Sequence, residues 1–355
     1  MKHDYYWQMI MIKLTIDNKK VKVPEGSTIL EAAKSASIRI PTLCFHDRLN
    51  PIGSCRLCLV EIEGCSDPVT ACTTPVKDGI SVITNSDRLF HLRQNSLKLI
   101  LANYPLECQT CEKNGACSLQ ILIEEFGINK NSYTLDPVIR NDEYSTPLIN
   151  YKPQYCIMCL RCVSACREIK GLSAIDITDT GYNSQVSPVN KDKCESCGEC
   201  LMVCPTVALT ENLTLNKNGQ DKIKRISTTC AYCGCGCQLE LNVINNKITK
   251  VTTNTYQGVN RGSLCVKGRF GYEFINSKER LTRPLIKENG IFKEATWDKA
   301  LSLVADRFLK IKQESGPDAI AGLSSARCTN EENYLFQKLF RAVIGTNNID
   351  HCARL

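Results

Sequence analysis

Two stretches share one cysteine rhythm: Cys156-Ile157-Met158-Cys159-Leu160-Arg161-Cys162-Val163-Ser164-Ala165-Cys166 and Cys194-Glu195-Ser196-Cys197-Gly198-Glu199-Cys200-Leu201-Met202-Val203-Cys204, the second followed at once by Pro205. In each, the thiols are separated by two, two and three residues. Three thiolates at that step, with a fourth ahead of proline, suit a [4Fe-4S] cube, and in chains with two such runs the fourth thiolate of each ligates the other run's cube. Cys156, Cys159, Cys162 and Cys204 are therefore expected to hold one cube, and Cys194, Cys197, Cys200 and Cys166 the other. Zinc is the alternative, because thiolates two residues apart also build tetrahedral Zn sites.

The remaining composition agrees with a metal-rich redox chain. A length of 355 residues with 23 cysteines suits two to four units. Domains this small rarely bury enough apolar surface to stand alone, so metal ties between distant segments should carry part of their stability and the apo-protein should be poorly folded. The start does not read as a signal peptide or twin-arginine leader, and no run approaches the roughly 18 apolar residues of a membrane span. A cytoplasmic location follows as an expectation; thiols stay reduced there, so dense cysteine signals metal rather than disulfides. The formal charge of +7 counts cysteine as neutral. With ligand thiolates and cluster cores included, the balance falls to about −2. No Lys/Arg stripe with interleaved aromatics is present either, so nucleic acid is not an expected partner.

Residues 11–23 alternate apolar and polar positions (Ile12, Leu14, Ile16, then Val21 and Val23) around Asp17-Asn18-Lys19-Lys20, the pattern of a β-hairpin. Thr28 and Glu31 form a capping-box signature ahead of Ile29, Leu30, Ala32 and Ala33. Hairpin, helix and then a cysteine-bearing loop is the β-grasp order. Cys44, Cys55, Cys58 and Cys72 are separated by ten, two and thirteen residues, a related but longer spacing than plant-type [2Fe-2S] ligation. They resemble the ferredoxin-like domain of respiratory complex I and its relatives. The resemblance implies one [2Fe-2S] cluster on these thiols, with Cys65 the alternative to Cys72. Residues ahead of Met11 fit no part of the hairpin, so Met9 or Met11 is a candidate start, and a frayed tail is the other reading.

Asp87 is read as the cap of a helix to Asn103, with Leu89, Leu92, Leu97, Ile100 and Leu101 as its apolar stripe. After Tyr104-Pro105 come Cys108, Cys111 and Cys117, then Leu119-Gln120 and a second short helix. This stretch resembles the [4Fe-4S] module with one histidine and three cysteine ligands of the complex I large subunit, iron-only hydrogenases and bacterial formate dehydrogenases. The family's histidine falls at position 104, where this chain has tyrosine. His91, thirteen residues back and roughly 20 Å along a helix, does not reach. The alternatives are a Tyr104 phenolate, an external water, a degenerate or absent cluster, and Tyr104 as a packing residue.

Cys230, Cys233 and Cys237, then Cys265 after 27 residues, form the last set, closed by Leu264-Cys265-Val266-Lys267-Gly268. The pattern resembles the amino-terminal [4Fe-4S] domain of molybdopterin oxidoreductases. That resemblance implies a cube beside a bis-pterin guanine dinucleotide, with Lys267 as electron relay between them; read alone, Lys267 is a solvated surface lysine. Cys235 is a spectator, and Cys328 a core or surface thiol. Beyond Thr282 the pattern becomes α/β: a helix over 297–313, a strand over 319–324, and a helix over 330–344 with Tyr334, Leu335, Leu339 and Val343 inward. A lone strand with two helices needs partners to close a core.

The final stretch, Gly345-Thr346-Asn347-Asn348-Ile349-Asp350-His351-Cys352-Ala353-Arg354-Leu355, resembles the segment ahead of the metal-binding residue of formate dehydrogenases. That residue, a cysteine or selenocysteine, and the histidine after it come next in the family. The resemblance implies that the reading frame continues through a UGA codon for selenocysteine, which sequencing the next codon tests, and that the chain as it stands does not turn over formate. Cys352 is the alternative ligand, four residues early.

The fold expected is thus multidomain α+β: a β-grasp [2Fe-2S] ferredoxin domain (11–85), a small three-cysteine iron-sulfur module (86–145), a two-cluster bacterial ferredoxin domain (146–215), a molybdopterin oxidoreductase [4Fe-4S] domain (225–282) and the start of an α/β molybdopterin domain (283–355). The cluster order is similar to that of cytoplasmic formate dehydrogenase catalytic subunits. It implies one [2Fe-2S] and three or four [4Fe-4S] clusters, and Mo or W on a bis-molybdopterin guanine dinucleotide. It further implies formate and carbon dioxide as substrate pair, and a diaphorase-type NAD(P)H flavin subunit, a ferredoxin or a hydrogenase as electron partner. Alternatives are a complex I large-subunit-like carrier and a non-catalytic iron-sulfur binding module.

Overall fold

Alternation at the amino end yields the expected hairpin, β1 (Met11–Ile16) antiparallel to β2 (Lys19–Pro24), in a computed structural model that describes residues 10–129, 144–212, 223–254 and 257–352, with side chains through 351. Residues 1–9, 130–143, 213–222, 255–256 and 353–355 lie outside the described residues, and with them the candidate start at Met9 and parts of the expected domain boundaries. The hairpin turns on Asp17 and Asn18, both at positive φ (46° and 65°). This is the backbone whose twist matches paired strands and which Asp and Asn tolerate. The Asp17 carboxylate also accepts from the Thr84 backbone N–H at 2.7 Å, tying the turn to the end of β5, the strand that pairs with β1.

By its contacts the chain divides into two units, Met1–Leu213 and Thr214–Leu355. In the first, α1 (Ile29–Ser35) starts at Thr28, whose capping box with Glu31 forms as read. The helix packs on a five-stranded mixed sheet in the order β2-β1-β5-β3-β4, completed by β3 (Leu59–Ile62), β4 (Val69–Thr70) and β5 (Ser81–Ile83), with β5 parallel to β1. Leu14, Ile16, Val21, Ile29, Leu30, Val60 and Val82 fill the space between, together with Cys58 and Cys72.

α2 (Asp87–Leu101) is capped by Ser86, whose side chain accepts from the Leu89 N–H, and not by Asp87; the helix stops two residues before Asn103. Its buried line is Leu89, Arg93, Leu97 and Leu101. Arg93 enters the interior because its guanidinium donates to the carbonyls of Leu59 at 2.6 Å and Thr84 at 2.8 Å, groups that need a donor once buried. α3 (Ser118–Glu125) follows. The next part is built from short paired strands, β6 (Ile149–Tyr151) with β9 (Leu209–Glu211) and β7 (Ile175–Thr178) with β8 (Gln185–Pro188), and from two short helices, α4 (Arg161–Ser164) and α5 (Glu199–Val203), one inside each cysteine run.

The second unit opens with an antiparallel sheet of β10 (Lys224–Thr229), β11 (Gln238–Ile244) and β12 (Lys247–Thr252), then α6 (Val266–Phe270) and a hairpin of β13 (Leu285–Glu288) and β14 (Ile291–Glu294). α7 (Trp297–Ser315), β15 (Gly322–Ser325), α8 (Asn330–Lys338) and β16 (Ile349–Cys352) complete it, with β15 parallel to β16. β16 is the partner strand that the helix–strand–helix reading lacked. The expected inward face of the last helix is also corrected. Tyr334, Leu335, Leu339 and Val343 are exposed, whereas Phe336, Phe340 and Ile344 pack with Ile320, Phe308 and Ile349. Both lines step by four residues, so the helical period does not choose between them; the partners Phe308, Ile320 and Ile349 do.

Gly322 sits directly under that aromatic pair. A Cβ at this position would lie 2.5 Å from Phe340 Cζ and 2.9 Å from Phe336 Cε1. Gly322→Ala is accordingly expected to lower the stability of this α/β unit by about 1–3 kcal/mol, the cost of overpacking a small core. Chemical denaturation followed by circular dichroism measures it, and an unchanged midpoint would refute the packing described.

Candidate metal centres

Four groups of thiols are gathered in the first unit and one in the second. Cys44 and Cys55 come from the loop between α1 and β3, Cys58 from the edge of β3, and Cys72 from the turn after β4. All four are buried, and Cys58 Sγ lies 3.3 Å from Cys72 Sγ. The Cys55 N–H donates to Cys44 Sγ at 3.5 Å. Hydrogen bonds among the thiols split them: those with Cys55 and Cys72 hold Cys44 well below the ordinary thiol range, and the one with Cys72 draws Cys58 down to about 7. The same contacts push Cys55 and Cys72 up. Arg56, at φ 55°, turns the backbone between Cys55 and Cys58. Cys65 is exposed and apart from this group.

Cys108, Cys111 and Cys117 line a small open pocket with Tyr104, Leu119 and Tyr155. Tyr104 is half-buried, stacks edge-on to Tyr155 at 5.8 Å, and faces the three thiols. Burial, and then the charges of Cys117, Cys111 and Cys108, push its phenol above the usual range. His91 stays on the exposed side of α2, an unbroken helix, two turns or more from this pocket.

The two cysteine runs show crossed placement. Cys166 lines one pocket with Cys194, Cys197 and Cys200; its Sγ accepts from the Ala174 N–H at 3.3 Å. Cys204 is close enough to the other run to act on it: burial raises Cys159 to about 12, with Cys204 the next cause, and Cys162 is raised by burial, then by Cys159, Cys156, Cys204 and last Cys200. The Cys117 thiol approaches the Pro205 carbonyl at 3.9 Å, and Lys113 Nζ donates to the Cys204 carbonyl at 2.8 Å, so the three-thiol pocket abuts this end of the runs.

In the second unit the Cys230 N–H donates to the Cys237 carbonyl at 2.8 Å, closing the loop that holds Cys230, Cys233 and Cys237. Cys265 ends the next loop at the head of α6. Gly268, one turn into α6, has the Cys230 and Cys265 sulfurs 3.6 and 4.0 Å from where a Cβ would stand, so the helix backbone backs directly onto the thiols. Cys230 is raised by burial first and then by Cys265 and Cys233; Cys237 is raised to about 11 by burial and its exposed neighbour Cys235. Lys267 is exposed on α6. Asn260, which no spacing singles out, binds the two cysteine loops together: its side chain accepts from the Gln238 N–H at 2.8 Å and donates to the Ser263 carbonyl at 3.0 Å. Cys328 is exposed, and the Cys352 side chain lies outside the described residues.

Sequence comparison supplies the class. Residues 10–87 match a 2Fe-2S iron-sulfur cluster binding domain, 93–132 the NADH-ubiquinone oxidoreductase-G iron-sulfur binding region, and 146–210 the ferredoxin-like domain of NADH-quinone oxidoreductase subunit 3. Residues 223–277 match the molybdopterin oxidoreductase Fe4S4 domain and 280–355 molybdopterin oxidoreductase itself. The chain is thus a series of iron-sulfur domains followed by the start of a molybdopterin oxidoreductase domain, homologous to NADH-quinone oxidoreductase-G and formate-dehydrogenase-like proteins.

Among its relatives is the NADPH-Fe(3+) oxidoreductase subunit alpha of Geobacter sulfurreducens (strain DL-1 / KN400), 42% identical over 349 residues, covering 97% of this chain and 40% of that one. A Staphylococcus aureus (strain USA300) protein, provisionally named a formate dehydrogenase, is 34% identical over 385 residues, covering 96% and 39%. The chain therefore spans about 40% of the length of the curated relatives it matches. A chain of the crystal structure of NAD+-reducing [NiFe]-hydrogenase in the H2-reduced state superposes with a TM-score of 0.53 at 29% identity, over 57% of this chain and 87% of that one.

The thiol groups fit iron-sulfur clusters chemically. They are soft donors, and the three-thiol site and the set with Cys166 lie in pockets walled by apolar side chains such as Leu119, Ile123, Ile149 and Ile175, the setting in which thiolate ligation of iron is favoured; in the last set Cys230 is buried and Cys265 exposed. Among the described residues no three His, Cys, Asp or Glu groups converge on a single-ion site, and no helix is long and apolar enough to cross a membrane.

Proposed function

We propose that these residues form the electron-transfer limb of a molybdopterin-dependent formate dehydrogenase. In this reading they link a pterin-bound Mo or W, as the bis-molybdopterin guanine dinucleotide, to a diaphorase-type NAD(P)H flavin subunit, a ferredoxin or a hydrogenase. One observation carries it: five thiol groups succeed one another along a single chain, and the last lies at the head of an α/β region that matches molybdopterin oxidoreductase. When bound, the clusters supply one-electron carriers and the pterin-bound metal a two-electron acceptor for formate.

The ligands in this reading are Cys44, Cys55, Cys58 and Cys72 for a [2Fe-2S] cluster and Cys108, Cys111 and Cys117 for the three-cysteine site. The two crossed sets of the ferredoxin domain come next, followed by Cys230, Cys233, Cys237 and Cys265. The residues around them exclude water and set the local charge, the levers by which a protein tunes thiolate-bound iron. Gly268 admits close approach of α6 to the last set. Lys267, two residues after Cys265, is the residue we assign to relay toward the pterin. So many reduced thiols suit the cytoplasm.

A second reading is an NADPH- or NADH-linked carrier without formate chemistry. The name of the 42% identical relative and the NADH-quinone oxidoreductase-type matches favour it. Anaerobic addition of formate to the protein carrying its clusters and a pterin-bound metal, together with its partner subunits, discriminates. Bleaching of the cluster absorbance by formate supports the first reading; bleaching by NADPH or NADH alone, with none from formate, replaces it with the second.

A further inference from the structure

The two cysteine runs match in backbone but not in charge. Met158 and Ser196 hold φ of 50° and 49°, Leu160 and Gly198 φ of 60° and 75°. Arg161 and Glu199, each directly before the third thiol of its run, therefore occupy equivalent places with opposite charge. The Arg161 guanidinium is half-buried, donating to the Phe45 carbonyl and, at 3.4 Å, to the Val203 carbonyl; its charge acts on Cys159. Lys113, donating to the Cys204 carbonyl, adds a second cation on the same side.

Glu199 is 1% exposed and lines the pocket of Cys166, Cys194, Cys197 and Cys200. Its carboxylate lies 3.3 Å from the Arg48 guanidinium, which reaches in from the β-grasp loop between Cys44 and Cys55. Glu195 also lines this pocket but is exposed and lies 3.9 Å from Lys170, so water screens it. Charges held out of water act strongly over short distances, and a cluster's potential follows the charge beside it.

We infer that Arg161 and Glu199 split the potentials of two otherwise matched cubes. The cube on Cys156, Cys159, Cys162 and Cys204 accepts an electron more readily, and the cube on Cys166, Cys194, Cys197 and Cys200 less readily. Arg48 offsets part of the Glu199 effect and so makes the second potential depend on the seating of the β-grasp loop, which Leu49 packs against Ala165 and Val203. The inference rests on the cluster assignment proposed above.

Potentiometric titration of the cluster EPR signals in anaerobically prepared, cluster-loaded protein tests it, each signal being identified by its loss in Cys159→Ser or Cys197→Ser. Arg161→Gln is expected to lower the first midpoint, changing its reduced-to-oxidised ratio about tenfold, or about 59 mV for one electron. Arg161→Lys should keep the wild-type value. Glu199→Gln should raise the second midpoint, and the Arg48→Gln/Glu199→Gln double variant should raise it less. Unshifted midpoints, or shifts of one sign in both variants, would overturn the charge inference while leaving the clusters in place. Wild-type protein without the two signals would instead overturn the assignment beneath it. Should Arg161→Gln not load iron, the near-isosteric Glu199→Gln decides alone: a rise supports the inference and no rise overturns it.

Discussion

Cys204→Ser is expected to remove the cube of the other cysteine run, not that of its own. The EPR signal it loses should be the one lost in Cys159→Ser, with iron falling by about four atoms per chain, the content of one cube. Cys166→Ser should mimic Cys197→Ser in the same way. The expectation follows from placement: Cys204 bears on Cys159 and Cys162, while Cys166 shares a pocket with Cys194, Cys197 and Cys200. The effect on folding should be large, because the described residues of this part of the chain form only short two-stranded pairings and short helices, and clusters bound by the folded state but not the unfolded one contribute their binding energy to stability. Loss of each serine variant's own-run cube would show that the runs are self-contained.

The second large effect concerns the β-grasp. Cys72→Ser should abolish the [2Fe-2S] spectrum, whereas Cys65→Ser should leave spectrum and melting temperature unchanged. Cys72 is 1% exposed, within the same core as Leu30 and Val82, and touches Cys58; Cys65 stands in solvent. A serine hydroxyl left without its cluster in that core costs a further ~1–3 kcal/mol, the ordinary penalty for an unsatisfied buried polar group. Melting curves and visible absorption of the two variants, side by side, separate the sites. Equal loss in both would place Cys65 among the ligands.

Much of this was legible in the residues themselves. The Asp17-Asn18 turn, the Thr28–Glu31 capping box and the cysteine loops are local: their geometry depends on neighbours within a few positions, which a sequence displays directly. Helix faces were less legible. The last helix turns Phe336 and Phe340 inward where the stripe pointed to Tyr334 and Leu335, because its core partners Phe308, Ile320 and Ile349 meet the neighbouring line of side chains. Arg93 is inside α2 for carbonyls of two strands that no helical period can foresee. Glu199 and Asn260 went unmarked for a similar reason, each owing its place to a partner far along the chain.

By itself the sequence determined the order of the modules and the thiols that share each loop, since spacing of two or three residues leaves a backbone few ways to turn. Only the tertiary structure decided that Cys72 and not Cys65 lies in the β-grasp core, that Arg93 enters the interior, and that Glu199 is buried against Arg48. Those outcomes rest on burial and electrostatics summed over segments remote in sequence, and such sums exist only once the chain has closed on itself.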